Sequence, residues 1–145
     1  MRGFTLTELL ITIGLGVILV AAAAPVYGIF QISAQLNGNT SQLVQTLRLA
    51  RQRSISGYNS VSHGVIFYNQ SYTLVQSTFG SPYNHIVNLE DSLNLSWLLS
   101  NASNTLWFSS VGLPNATGTI TLTHSISGER KIIINSLGLI EELKE

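Results

Sequence analysis

A single carboxylate, that of Glu8, stands at the start of a long apolar segment in this 145-residue sequence. Glu8 follows Gly3 by five residues, and from Leu9 to Leu47 the sequence contains no Asp, Glu, Lys or Arg. An ionised side chain at the rim of a membrane-length apolar helix is costly, and such residues are therefore typically functional. The alternative is an interfacial residue whose carboxylate simply reaches water. Glu8 is accordingly the first candidate functional residue.

The segment that contains Glu8 has the composition of a transmembrane helix. The apolar core of residues 4–30 nearly spans a bilayer, which needs about 20 helical residues, and Arg2 agrees with the positive-inside rule. A secretory signal peptide cleaved after Ala24 is the competing interpretation. That cleavage would place Pro25 directly after the cut and Glu8 where the apolar region should begin, so the transmembrane interpretation is favoured.

Residues 31–57 predict an amphipathic continuation of this helix. Pro25 lacks a backbone N–H and predicts a kink before that continuation. One apolar stripe at helical spacing is formed by Ile29, Ile32, Leu36, Leu43, Leu47 and Ala50. The last turns contain the cations Arg48, Arg51 and Arg53. Cations are favoured at the C-terminal end of a helix and Gly57 is a suitable stop, so we interpret the arginines as a solvated helix end.

Beyond Gly57 the sequence predicts a β-rich head, residues 58–145. Short runs of Val, Ile, Thr, Tyr and Phe alternate there with clusters of Ser, Asn and Gly, which is typical of strands and turns. The predicted strands are 61–68, 71–76, 86–89, 93–98, 105–108, 119–126 and 130–135, followed by the apolar pair Leu139-Ile140. A long helix packed on an antiparallel sheet gives an α+β fold.

The composition of the head argues against catalysis and against nucleic-acid binding. Its net charge of −3 makes it a poor ligand for phosphates. The sequence has no cysteine, which excludes thiol chemistry, disulfides and cysteine-ligated metals. His63, His85 and His124 have no ligand-like spacing, and the adjacent carboxylates Glu90 and Asp91 would face opposite ways on a strand. We therefore predict a protein that is not an enzyme and that needs no metal or other cofactor.

The segment Gly3-Phe4-Thr5-Leu6-Thr7-Glu8 resembles the class III signal of type IV pilins and type II secretion pseudopilins. The resemblance implies that residues 1–3 are a leader, that prepilin peptidase cuts after Gly3, and that the new amine of Phe4 is methylated. It also implies that Glu8 pairs with the Phe4 amine of a neighbouring subunit in a filament. Burying both charges together avoids most of the cost of burying either one alone.

Several segments of the head resemble the GspH/FimT family of minor pilins and pseudopilins. These segments are Leu49-Ala50-Arg51 with Ile55, Phe108 to Gly112, Gly118 to Leu122, and Arg130 to Ile134 followed by Gly138. The resemblance implies a structural subunit anchored in membrane lipid of the inner membrane, with its head on the extracytoplasmic side. Its partners would be other pilins or pseudopilins and the inner-membrane assembly platform.

The resemblance leaves one alternative and one choice open. The alternative is a binding module presented on the filament, for DNA uptake or adhesion. The acidic end Glu141-Glu142-Leu143-Lys144-Glu145 departs from the basic heads of DNA-binding members, so nucleic acid is not the expected partner. The choice is between secretion, pilus and competence machines, on which the sequence carries no information.

Overall fold

The computed structural model describes residues 4–77, 85–126 and 128–144. The chain divides into two compact units, one ending at Ala34 and the other running from Gln35 to the C-terminus. A single helix, α1 (Leu6–Ile55), contributes to both units. The α+β fold class predicted from the sequence is confirmed. The predicted domain boundaries at residues 30 and 57 are not tested by the division into units and stay predictions.

The first unit exposes most of its apolar side chains. The large exposed apolar residues between positions 4 and 20 are Phe4, Leu6, Leu9, Leu10, Ile11, Ile13, Leu15, Val17, Ile18, Leu19 and Val20. Within the described part of the chain, no helix combines the length and the hydropathy of a membrane span. The transmembrane segment predicted over residues 4–30 therefore stays a prediction.

Four of the six members of the predicted apolar stripe of α1 pack inside the second unit, whereas Ile32 is half-buried and belongs to the first unit. Leu36, Leu43, Leu47 and Ala50 are all buried. Thr40 interrupts the apolar stripe at a buried position, where its hydroxyl donates a 2.7 Å hydrogen bond to the Leu36 carbonyl. This local bond satisfies the hydroxyl, which is why a polar side chain is tolerated there. The side chain of Ile29, the first predicted member of the stripe, lies outside the described residues.

The described residues of the head form two four-stranded antiparallel sheets rather than the single sheet that we predicted. The strands are β1 (His63–Tyr68), β2 (Ser71–Gln76), β3 (His85–Asn88), β4 (Leu93–Leu99), β5 (Thr105–Phe108), β6 (Gly118–His124), β7 (Glu129–Ile134) and β8 (Ile140–Lys144). The first sheet has the order β3-β2-β1-β5 and the second the order β4-β6-β7-β8. All seven predicted strands are present within about two residues of their predicted bounds.

Strand β8 is the element that the sequence analysis missed. Its residues Glu141 and Glu142 pair with Ile133 and Ile132 of β7. Acidic residues are depleted in strands, so propensity did not indicate one here. At the edge of a sheet, however, charged side chains discourage pairing with other chains, which explains why an acidic strand occupies this position.

The core of the second unit lies between α1 and both sheets. Its largest fully buried side chains are Tyr72, Phe67, Phe108, Leu43, Leu47, Leu93, Leu95, Leu106, Ile120, Leu122, Ile132 and Ile134. Helix residues and residues of both sheets belong to one contiguous cluster. The two sheets therefore share one core with the helix.

Candidate functional site

The first candidate site is the start of α1, where Glu8 caps its own helix. The backbone N–H and the hydroxyl of Thr5 donate to Glu8 Oε2 at 3.1 and 3.0 Å. In return, the backbone N–H of Glu8 donates to Thr5 Oγ1 at 3.3 Å. This reciprocal pair is a capping box, which satisfies donors that the first helical turn leaves without partners.

The apolar run after Glu8 indicated a role for Glu8, whereas no role was predicted for Thr5. The pattern Thr-x-x-Glu at the head of an apolar run is the sequence signature of a capping box and could have revealed it. Phe4 is 80% exposed directly before this cap, and Glu8 is exposed as well. Gly3, the predicted cleavage position, lies outside the described residues.

The predicted kink at Pro25 is not tested. Helix α1 is continuous through this position, and the side chain of Pro25 lies outside the described residues.

The second candidate site is the C-terminal end of α1, where Arg51 binds two loops of the head. Its Nε donates to the carbonyl of Gly112 at 3.1 Å, and its Nη2 donates to the carbonyl of Leu137 at 3.3 Å. Arg48 makes a similar contact, with Nη2 3.4 Å from the carbonyl of Ile140. The interpretation of these arginines as a solvated helix end was therefore incomplete. Arg51 joins the β5–β6 loop to the β7–β8 loop.

The two glycines of these loops make the junction possible. A Cβ on Gly112 would lie 2.6 Å from Ile55 Cδ1 and 3.2 Å from Arg51 Nε. A Cβ on Gly138 would collide with the carbonyl oxygen of Gly112. Both glycines have positive φ, 84° and 74°, which disfavours any other residue. Four residues from the separate family-like segments, Arg51, Ile55, Gly112 and Gly138, thus meet at one point.

A buried histidine lies where α1 passes into β1. His63 is 1% exposed, and neither of its ring nitrogens has a hydrogen-bond partner within the part of the chain that the structure describes. Its ring centroid is 5.8 Å from that of Tyr58, over which the Arg53 guanidinium sits at 5.3 Å. Burial lowers the pKa of His63 and the positive charge of Arg53 lowers it further, while the polar backbone of Val61 opposes both effects.

The backbone of His63 is fixed to the helix by one side chain. Ser54 Oγ accepts from the N–H of His63 at 2.8 Å and donates to its carbonyl at 3.3 Å. The connection between them includes three residues of positive φ, namely Gly57, Asn59 and Ser60. Two of these residues are not glycine, so the turn has a conformational cost that the surrounding contacts must offset.

The surface of the described head residues carries shallow grooves. Two shallow grooves, of about 400 and 360 Å³, lie beside β5 and beside the helix end. Serine, glycine and apolar residues supply most of their lining, and no titratable side chain takes part. Across residues 4–77, 85–126 and 128–144, no three His, Asp or Glu side chains converge as a metal site.

Solved structures of other proteins share this fold. The type IV minor pilin FimU of Pseudomonas aeruginosa matches 79% of this chain and 92% of its own, with a TM-score of 0.62 and 16% identity. The minor pseudopilin EpsH from the type 2 secretion system of Vibrio cholerae matches 75% of this chain and 96% of its own, with a TM-score of 0.62 and 16% identity. A second EpsH structure gives a TM-score of 0.61 and 15% identity over 75% of this chain.

The sequence itself matches the family model described as "Type II transport protein GspH" over residues 39–138. No curated protein sequence gives a significant match. The family match begins within the amphipathic part of α1, ends at Gly138, and includes the whole Arg51 junction. Since it covers more than half of the chain, the protein belongs to the GspH family.

Proposed function

We propose that this chain is a structural minor pilin or pseudopilin, which is processed after Gly3 and assembled into a filament. The observation that carries the proposal is the combination of two parts in one chain. A GspH-family head follows a helix that exposes large apolar side chains from Leu6 to Val20, with the capped carboxylate of Glu8 in its first turn. Apolar side chains exposed all round a helix need a lipid or protein environment, and a membrane followed by a filament core would supply both.

The proposed role of Glu8 is to pair with the Phe4 amine of a neighbouring subunit. Both capping bonds from Thr5 end on Oε2. A carboxylate has two oxygens and about four acceptor positions, so Oε1 can accept from the neighbouring amine while the cap persists. The cap would hold the Glu8 carboxylate in one position before the neighbouring subunit binds. The side chain would then lose less conformational entropy when the filament assembles.

The proposed location follows from this mechanism. The N-terminal helix would hold the subunit in the inner membrane, with the head on the extracytoplasmic side, until the assembly platform moves it into the filament. Processing would require prepilin peptidase on the cytoplasmic side. The alternative of a head that captures DNA or mediates adhesion is favoured by no contact among the described residues.

Intact mass and N-terminal sequence of the protein from native membranes would test processing. We expect a chain that begins at Phe4 and carries one additional methyl group. A chain beginning at Pro25 would indicate ordinary secretion, and an uncut chain would indicate a simple anchor. Either result would contradict the proposal.

A variant pair tests the role of Glu8. Glu8→Ala should leave membrane insertion and processing largely intact but reduce incorporation into the filament fraction by about tenfold or more, because a neighbouring amine would be buried without its counter-charge. Thr7→Ala is the matched control, since Thr7 is exposed on the same turn and its hydroxyl donates a long hydrogen bond, of 3.4 Å, to the Thr5 hydroxyl. Equal incorporation of both variants would remove Glu8 from the mechanism.

A further inference from the structure

Within the second unit, several exposed apolar side chains lie on the two loops that Arg51 joins. We call this set the loop-tip surface. It consists of Val111 and Leu113 on the β5–β6 loop, Leu137 and Leu139 on the β7–β8 loop, and Ile55 at the end of α1. Val111 is 73% and Leu137 is 70% exposed. Apolar residues scattered singly over a surface need no explanation, whereas contiguous ones indicate an interaction site.

The geometry of the junction brings together the backbone segments that carry these side chains. Gly112 lies between Val111 and Leu113 in sequence, and its Cα packs against the side chain of Ile55. Gly138 likewise separates Leu137 from Leu139 and lies against the Gly112 carbonyl. The two loop tips are therefore in contact, and the helix end adjoins them.

Hydrogen bonds within both loops order the backbone that carries the exposed side chains. In the β5–β6 loop, the Leu113 N–H donates to Ser109 Oγ at 3.1 Å and the Gly112 N–H to the Ser109 carbonyl at 2.8 Å. In the β7–β8 loop, the N–H groups of Leu137 and Leu139 donate to Asn135 Oδ1 at 3.0 and 2.9 Å. A surface ordered before binding loses less conformational entropy when a partner docks.

The charge beside the loop-tip surface indicates what kind of partner fits it. Arg48 and Arg51 donate to neutral backbone carbonyls, so their positive charges are not balanced by these contacts. No carboxylate among the described residues lies within ion-pair distance of Arg48 or Arg51. A partner that places a carboxylate beside its own apolar side chains would complement both the charge and the apolar surface.

We propose that the loop-tip surface docks the head of a neighbouring pilin-like subunit of different sequence, through a segment in which apolar side chains flank a carboxylate. This inference rests on the proposed function and adds to it a surface and a partner chemistry. Val111 and Leu137 supply the apolar contact, while Arg48 and the exposed side of Arg51 receive the carboxylate.

Site-specific photo-crosslinking of the full chain tests the proposal. p-Benzoylphenylalanine is introduced at Val111 and Leu137, and at Leu98 as the matched control. Leu98 is 80% exposed but lies on β4, at the opposite edge of its sheet from β8. We expect at least tenfold more crosslinking from positions 111 and 137 than from position 98. Mass spectrometry should identify the product as another pilin-like subunit, crosslinked within a peptide that contains Asp or Glu.

Charge substitution provides the second measurement. Leu137→Glu should repel a carboxylate-bearing partner and reduce the crosslink from position 111 by about tenfold, whereas Leu98→Glu should leave it unchanged. A crosslink to a second copy of this chain, to lipid alone, or of equal yield at position 98 would overturn the proposal.

The design separates this proposal from the proposed function. Crosslinks are collected from the membrane fraction and from the filament fraction separately. Suppose that Glu8→Ala reduces incorporation into the filament, as we expect, but that the crosslinking yields at positions 111 and 137 equal the yield at position 98. The proposed function then stands, and the proposed docking surface is wrong. If the chain is not processed at Phe4, the function fails, and crosslinks in the membrane fraction still decide whether the surface binds a pilin-like partner.

Discussion

At the scale of single residues, Arg51 makes two long-range hydrogen bonds that the sequence did not reveal. Its guanidinium can donate in two directions from one planar group, which suits two carbonyls on different loops. A pattern of arginines near a helix end is equally typical of a solvated terminus. Whether such an arginine is solvated or joins two loops depends on hydrogen-bond partners more than 60 positions away. The local sequence carries no information on those partners.

The first prediction concerns the donors of Arg51. Arg51→Met keeps an apolar stem of similar length but removes both hydrogen bonds, so it should lower the free energy of unfolding by about 1–2 kcal/mol. Gln52→Met, at an exposed neighbouring position, should change the free energy of unfolding by less than about 0.5 kcal/mol. Urea unfolding of the detergent-solubilised protein, monitored by tryptophan fluorescence, measures both. Equal values for the two variants would show that Arg51 does not join the loops.

The second prediction compares two glycines of similar φ. Gly128 and Gly138 have φ of 80° and 74°, so alanine at either should cost about 1–2 kcal/mol in backbone strain. At Gly128 the new methyl would meet nothing closer than Leu36 Cδ2 at 3.7 Å, whereas at Gly138 it would collide with the Gly112 carbonyl. Gly138→Ala should therefore destabilise the protein more than Gly128→Ala, by at least about 1 kcal/mol. The same urea titration detects the difference, and equal losses would refute the close approach.

At the scale of elements, the junction between α1 and β1 combines a positive-φ turn with a buried histidine. The sequence placed the end of α1 near Gly57, and the helix ends at Ile55, because glycine readily adopts the left-handed conformation that ends a helix. The sequence shows no ligand-like spacing around His63 and does not indicate that this side chain is buried. Its burial follows from its pairing with Phe108 of β5 and Gln76 of β2, which places it in the middle of a sheet.

The third prediction is a pH dependence that originates at His63. The folded-state pKa of His63 lies below the ordinary value of about 6.5, because burial and the nearby Arg53 both disfavour the charged ring. The unfolded chain therefore binds more protons below about pH 6.5. The stability that the neutral ring contributes is fully present above that pH. It is lost as the pH falls from the unfolded-state pKa of His63 toward its folded-state pKa.

Replacement of the histidine tests this origin. His63→Leu cannot take up a proton and should flatten the fall in the free energy of unfolding between about pH 7 and pH 5. His85→Gln serves as the control because His85 is exposed on β3, and this variant should retain the wild-type slope. If the slope survives in His63→Leu, another group causes it.

At the scale of the whole molecule, local patterns predicted the elements better than their arrangement. Periodicity identified the buried stripe of α1 and the strands because burial repeats every 3.6 or 2 residues. The division into two sheets depends on which strands pair, for example β4 with β6 and β1 with β5, and these pairings join residues far apart in sequence. For the same reason the motif residues around Arg51 could be recognised individually but not as one junction.

The last prediction follows from where the core lies. Every buried hydrophobic residue within the described ranges lies between Leu36 and Ile140, so it belongs to the second unit. The first unit contributes exposed apolar surface and no part of that core. A fragment of residues 35–145 should therefore fold alone and remain soluble without detergent.

The free energy of unfolding of this fragment should lie within about 1 kcal/mol of that of the full chain in detergent, because contacts within the core determine it. Urea unfolding of both proteins, with tryptophan fluorescence from Trp97 and Trp107, makes the comparison directly. A fragment that unfolds without cooperativity would mean that residues before Gln35 stabilise the head. The full chain would then have to be treated as one folding unit, in which the anchor and the filament surface cannot be altered independently.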